Sequence, residues 1–105
     1  MNVHEHILTV LMEECAEVTK ECSKALRFGL DDKLTLNPYG PRGTEGLTNR
    51  EKLADELNDL IGVTHMLIME GILPTDWQDA GKQQAKGEKV RKFMDYALRV
   101  DSLQV

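Results

Sequence analysis

The sequence is short of aromatic side chains and of positive charge. Phe, Trp and Tyr together make up 5% of it, and 13 Lys and Arg face 18 Asp and Glu, for a net charge of −5. A protein that grips duplex nucleic acid carries a basic face, so this balance speaks against one. No run of about 18 apolar residues occurs, which excludes a membrane-spanning helix. The start, Met1 to His6, lacks the basic stretch and small-residue cleavage site of a secretory leader, so a cytoplasmic protein is expected. There are only two cysteines, Cys15 and Cys22. Seven residues apart on one helix, they are separated by about 10 Å, too far for a disulfide, and their spacing matches no thiolate metal site. They are expected to be small core residues in a reducing compartment. With 105 residues the chain forms one domain, 1–105, whose core is thin, and a homo-oligomer is expected to complete it.

What the sequence does have is helical periodicity. Residues 3–28 contain neither Pro nor Gly, and Val3, Ile7, Val10, Leu11, Val18, Cys22 and Ala25 recur on one side. Gly29 is placed to stop that helix. Residues 30–47 hold two prolines and three glycines, which makes them a long loop of the kind that is functional or disordered. Thr48 and Glu51 form a capping box. A second amphipathic helix follows through Leu53, Leu57, Leu60, Ile61, Thr64, Leu67 and Ile68, and ends at Gly71. Pro74, Thr75 and Asp76 predict a third, short helix stopping near Gly81. A fourth is expected over 85–100, with Val90, Phe93, Met94 and Ala97 as its apolar side. No strand-like alternation is present. The expected class is all-α, with two long antiparallel helices and two shorter ones, in a four-helix core completed by oligomerisation.

The carboxylates break the amphipathic pattern. With Glu14 at zero on the first helical wheel, the apolar stripe runs from about −40° to +120°. Glu14 lies inside it and Glu21 falls at about −20°, while Glu17 sits on its edge near −60°. Glu13 is about 40° further out. The second helix repeats the device: Glu56 lies inside the stripe, with Asp59 on its edge about 60° away. If the two faces pack, four carboxylates converge. Bare, they would repel and lose solvation, and a divalent cation with a taste for hard oxygen ligands relieves that best. Glu-x-x-His and His-x-x-x-His spacings are missing, so di-iron and zinc sites of those types are not expected. His4 and His6 are expected at the surface.

Glu13-Glu14-Cys15-Ala16-Glu17 and Glu56-Leu57-Asn58-Asp59 together fit the pattern EExxE…ExxD. The chain thus resembles the MazG-like, all-α nucleoside triphosphate pyrophosphohydrolases, over about residues 8 to 100. The stretches Ser23 to Gly29 and Lys89 to Tyr96 look most like small phage and prophage members. It departs from them in one respect. The 38 residues between Glu17 and Glu56 exceed the family's usual separation, the excess being the 30–47 loop.

The resemblance implies cleavage of a (deoxy)nucleoside triphosphate between its α- and β-phosphates, giving the monophosphate and pyrophosphate. It implies Mg²⁺, or Mn²⁺, on Glu14, Glu17, Glu56 and Asp59. Glu13 would then be the general base or a ligand to a second metal. Lys24, Arg27, Lys89, Lys92 and Tyr96 are the expected phosphate contacts. Asn37, Tyr39, Arg42 and Trp77 are candidates for the base. A homodimer or homotetramer in a bacterial or phage-infected cytoplasm is implied as well. The alternative is an idle nucleotide-binding or interaction module of the same fold. No Walker-type glycine loop is present, so phosphate binding would be led by metal.

Overall fold

The computed structural model describes residues 1–35 and 46–104, and these are helical with no strand among them. They form two compact units, Met1–Leu73 and Pro74–Val105. Helices α1 (Val3–Phe28) and α2 (Asn49–Met69) make the first unit, and α3 (Ala80–Arg99) the second. No helix is long and apolar enough to cross a membrane among the described residues.

The bounds of α1 follow from its ends. Asn2 Oδ1 accepts from the Glu5 backbone N–H at 2.8 Å, which satisfies one of the orphan donors of a helix start. At the other end Gly29 takes φ +101°, a region where a side chain is strained, and its N–H closes on the Ala25 carbonyl at 2.9 Å. The helix thus spans the predicted residues. The capping box is present too: Thr48 Oγ1 accepts from Glu51 N–H at 3.1 Å, and the Glu51 carboxylate accepts from Thr48 N–H at 3.0 Å. That bonding holds the Glu51 carboxyl below its ordinary pKa.

The two helices pair antiparallel through opposite chemistries at their two ends. At one end, Ile7 of α1 is buried with Val63 and Leu67 of α2, and Val10, Leu11, Ile72 and Leu73 pack around them. The Leu67 carbonyl accepts from the N–H groups of Ile72 and Leu73 at 2.9 and 3.2 Å, which folds the exiting chain back over this cluster. The other end is polar. The fully buried Asn49 donates its Nδ2 to the Gly29 carbonyl at 2.8 Å. Its backbone N–H bonds the Asp32 carbonyl at 2.9 Å, and that of Arg50 bonds the Leu30 carbonyl at 2.8 Å. Arg50 Nε also meets Asp31 Oδ1 at 3.2 Å. Between an apolar end and a hydrogen-bonded end lies the stretch that carries the carboxylates.

Two expectations are corrected. The short helix from Pro74 to Gly81 does not form. Residues 74–79 make a turn, with Trp77 N–H on the Pro74 carbonyl at 3.2 Å. Asp79 then caps α3 by accepting from Lys82 N–H at 3.0 Å. So few residues between Pro74 and that cap cannot repay helix nucleation, and α3 instead runs through both Gly81 and Gly87. The described helices are therefore three, of 26, 21 and 20 residues, and not two long and two short. Cys15 and Cys22 are exposed and not in the core. They lie on the flank of the stripe, and α2 covers only its centre. Leu8, Met12, Leu57 and Ile61 are exposed as well.

In the second unit the predicted apolar side of α3 exists but is unburied. Val90, Phe93, Met94 and Ala97 line an open groove of about 410 Å³ with Lys86, Lys89, Ser102 and Leu103. The chain reaches that groove by turning back after α3, where the N–H groups of Ser102 and Leu103 share the Ala97 carbonyl.

Candidate metal centre

Three carboxylates meet across the hairpin. Glu14 of α1 and Glu56 and Asp59 of α2 each bring one oxygen within 4.8 Å of the others. Glu56 and Asp59 are three apart, hence neighbours on one face of α2. Glu14 and Glu56 are half-buried, whereas Asp59 is exposed at the rim. Glu14 Oε2 is buried and has no hydrogen-bond partner among the described residues. An orphaned acceptor of that kind is costly unless something supplies positive charge or a proton. The donors are all hard oxygens, the set that hard divalent cations take. The residues present thus fit a divalent cation.

Glu56 is the electrostatic centre. Burial pushes its pKa up, and the charges of Asp59, Glu17, Glu14 and Glu21 push it further, in that order. The consequence for stability has a definite sign. A carboxyl whose pKa is raised by folding contributes stability in its protonated form, and that contribution is lost as pH rises from the ordinary value of 4.5 through the raised one. Glu51 works the other way: its contribution is lost as pH falls through its lowered value. Thermal unfolding in EDTA should therefore show a midpoint that declines above pH 4.5 more steeply in the native protein than in Glu56→Gln. Mg²⁺ or Mn²⁺ should remove that difference by holding the ionised form. Equal slopes for the two proteins in EDTA would contradict this account.

The other expected site residues are distributed unevenly. Glu17 is half-buried beside the trio, close enough for its charge to be felt at Glu56, although it is not one of the three converging groups. Glu13 is exposed, as its place on the wheel implied. Lys24 is paired with Glu21 Oε1 at 3.2 Å. The Arg27 guanidinium lies 4.9 Å from the Phe28 ring centroid. Lys89, Lys92 and Tyr96 are exposed on α3, in the second unit, and Trp77 precedes them in the turn. Asn37, Tyr39 and Arg42 lie outside the described residues. His4 and His6 are exposed, as expected.

Sequence reading placed Glu21 inside the apolar stripe without giving it a role, and it is 5% exposed. It missed two other polar residues of the hairpin interior, Asn49 and Lys52, with 0% and 6% of their surfaces exposed. The signal was there. Relative to Glu56, Asn49 and Lys52 fall at about +20° and −40° on the wheel, inside or bordering the apolar stripe.

Comparison with protein-family models, with curated proteins and with solved structures finds no match to this chain.

Proposed function

We propose that this protein is a divalent-metal-dependent (deoxy)nucleoside triphosphate pyrophosphohydrolase. The observation that carries the reading is the convergence of Glu14, Glu56 and Asp59 between the two helices of the pair. The order of EExxE and ExxD along the chain and the MazG-like resemblance support it. Carboxylates drawn together in this way destabilise a fold, and a binding function gives a reason to keep them.

Glu14, Glu56 and Asp59 would hold the cation, with Glu17 as a fourth ligand from the next turn of α1. When bound, Mg²⁺ or Mn²⁺ offsets the charge of the phosphates and lowers the pKa of a water. Glu13, on the exposed side of the cluster, would take the proton of the attacking water. Water oxygen then bonds to phosphorus while the bridging oxygen between the α- and β-phosphates leaves with its electron pair, giving the monophosphate and pyrophosphate. Lys24 and Arg27, which share the first unit with the carboxylates, are the proposed contacts for the phosphates. The reading includes a homodimer or homotetramer. In support, among the described residues the hairpin buries only Ile7, Val63 and Leu67 as apolar core and leaves Leu8, Met12, Leu57 and Ile61 uncovered.

The test is pyrophosphate release from a panel of ordinary and modified dNTPs and NTPs with Mg²⁺ or Mn²⁺, and with EDTA as control. Metal-dependent turnover of one or a few is the expected result and names the base. Silence across the whole panel would overturn the hydrolase and leave the idle binding module as the better reading.

A further inference from the structure

Glu21 lies outside the EExxE pattern, yet it is the most deeply buried carboxylate of the described chain, with 5% of its surface exposed. Its two oxygens have different fates. Oε1 accepts from Lys24 Nζ at 3.2 Å. Oε2 is buried with no hydrogen-bond partner among the described residues. The position on α1 is telling: Glu21 stands two turns beyond Glu14 and one beyond Glu17, on the same line of the helix. Its charge also reaches Glu56. Orphaned carboxylate oxygens therefore occur at two levels of α1, at Glu14 and at Glu21.

Charge distinguishes what each level holds. The interior of the hairpin and its rim carry Glu14, Glu17, Glu21, Glu56 and Asp59, against Lys24 and Lys52. One divalent cation at the Glu14 level leaves this set with a net charge of about −1. Replacing the Lys24 ammonium by a second divalent cation brings it to neutrality. Lys24 is free to leave: its side chain is 25% exposed, against 6% for that of Glu21, and the pair is local to one helix turn. A flexible stem lets the ammonium swing into water, whereas the buried carboxylate has no such escape.

We infer that Glu21 is a fifth carboxylate of the centre, which takes a second divalent cation in exchange for the Lys24 ammonium. This rests on the reading of Glu14, Glu56 and Asp59 as a metal centre, but not on which substrate is hydrolysed. Glu17, between the two levels, is placed to serve both. Lys24 in turn becomes the group that keeps the second position closed in metal-free protein, and its release makes an ammonium available to phosphate.

Mn²⁺ stoichiometry on the full chain tests this, by titration calorimetry and by electron paramagnetic resonance of the unbound ion. The native protein should bind two Mn²⁺ per chain. Glu21→Gln, nearly isosteric, should bind one with the stronger affinity unchanged. Lys24→Met should tighten the weaker site, because the ammonium no longer competes for Glu21, and it keeps the question answerable should the Glu21 variant not fold. One Mn²⁺ per chain in native protein and in Glu21→Gln alike would overturn the inference and spare the centre. Absence of any binding would overturn both. Two ions falling to one in Glu21→Gln supports the inference whatever the nucleotide panel reports.

Discussion

Glu56→Gln is expected to abolish metal-dependent pyrophosphate release, by about 10²–10³-fold or more, and at the same time to raise the thermal midpoint of the metal-free protein. The two effects have one cause. Glu56 is the carboxyl toward which Asp59, Glu17, Glu14 and Glu21 all direct negative charge. Removing its charge relieves that repulsion while the amide keeps the shape of the side chain. The same change deletes a ligand from the one converging trio among the described residues. Paired measurements of turnover and unfolding distinguish this from damage to the fold, because damage lowers both. The upward shift in midpoint that Mg²⁺ or Mn²⁺ is expected to give the native protein should also vanish. Retained activity in Glu56→Gln would show that the acidic trio is not where the chemistry happens.

Leu67→Ala should destabilise the hairpin by about 2–5 kcal/mol, the largest effect expected of any apolar substitution in it. Leu67 is 3% exposed and shares its cluster with just two other buried apolar residues, Ile7 and Val63. A core that small has few neighbours able to collapse into the space left behind. The Leu67 carbonyl still accepts from Ile72 and Leu73 in the variant, so the loss comes from packing and not from the backbone. Urea unfolding followed by circular dichroism reads it directly. A loss below about 1 kcal/mol would mean that packing elsewhere carries the stability. A substitution at Leu57 or Ile61, both uncovered in the hairpin, provides the contrast: little effect on a single chain, and a large one wherever a second copy packs there.

The helices of the hairpin were legible in the sequence because their ends are written in single residues. Gly29, Thr48 and Glu51 each perform a local capping task that needs no tertiary partner; Asn2, which caps the start of α1, was not read as a cap. The convergence of Glu14, Glu56 and Asp59 was legible too, since two wheels showed acids on faces that had to pack. Trp77 and its neighbours were misread because Pro74 and Asp79 both offer helix starts, and the winner is the one with room to propagate. Cys15 and Cys22 were misplaced because a wheel ranks residues by angle, whereas burial depends on how wide the covering helix is. Glu21 was visible on the wheel but fell outside the motif, and only the hairpin revealed what its carboxylate meets.

The tie between Asn49, Gly29, Leu30 and Asp32 has a consequence for how such a protein can change over time. Those hydrogen bonds clamp the chain where it leaves α1 and where it enters α2. The alignment of Glu14 with Glu56 is then set by the clamp and the apolar end, not by the chain joining them. Closing a longer connection adds only a slowly growing entropy penalty. Insertions between Asp32 and Thr48 can therefore be tried and discarded at little risk to the carboxylates. The clamp separates the part of the molecule that must stay constant from a part in which variation is tolerated, and it makes this junction the natural place to graft a foreign segment.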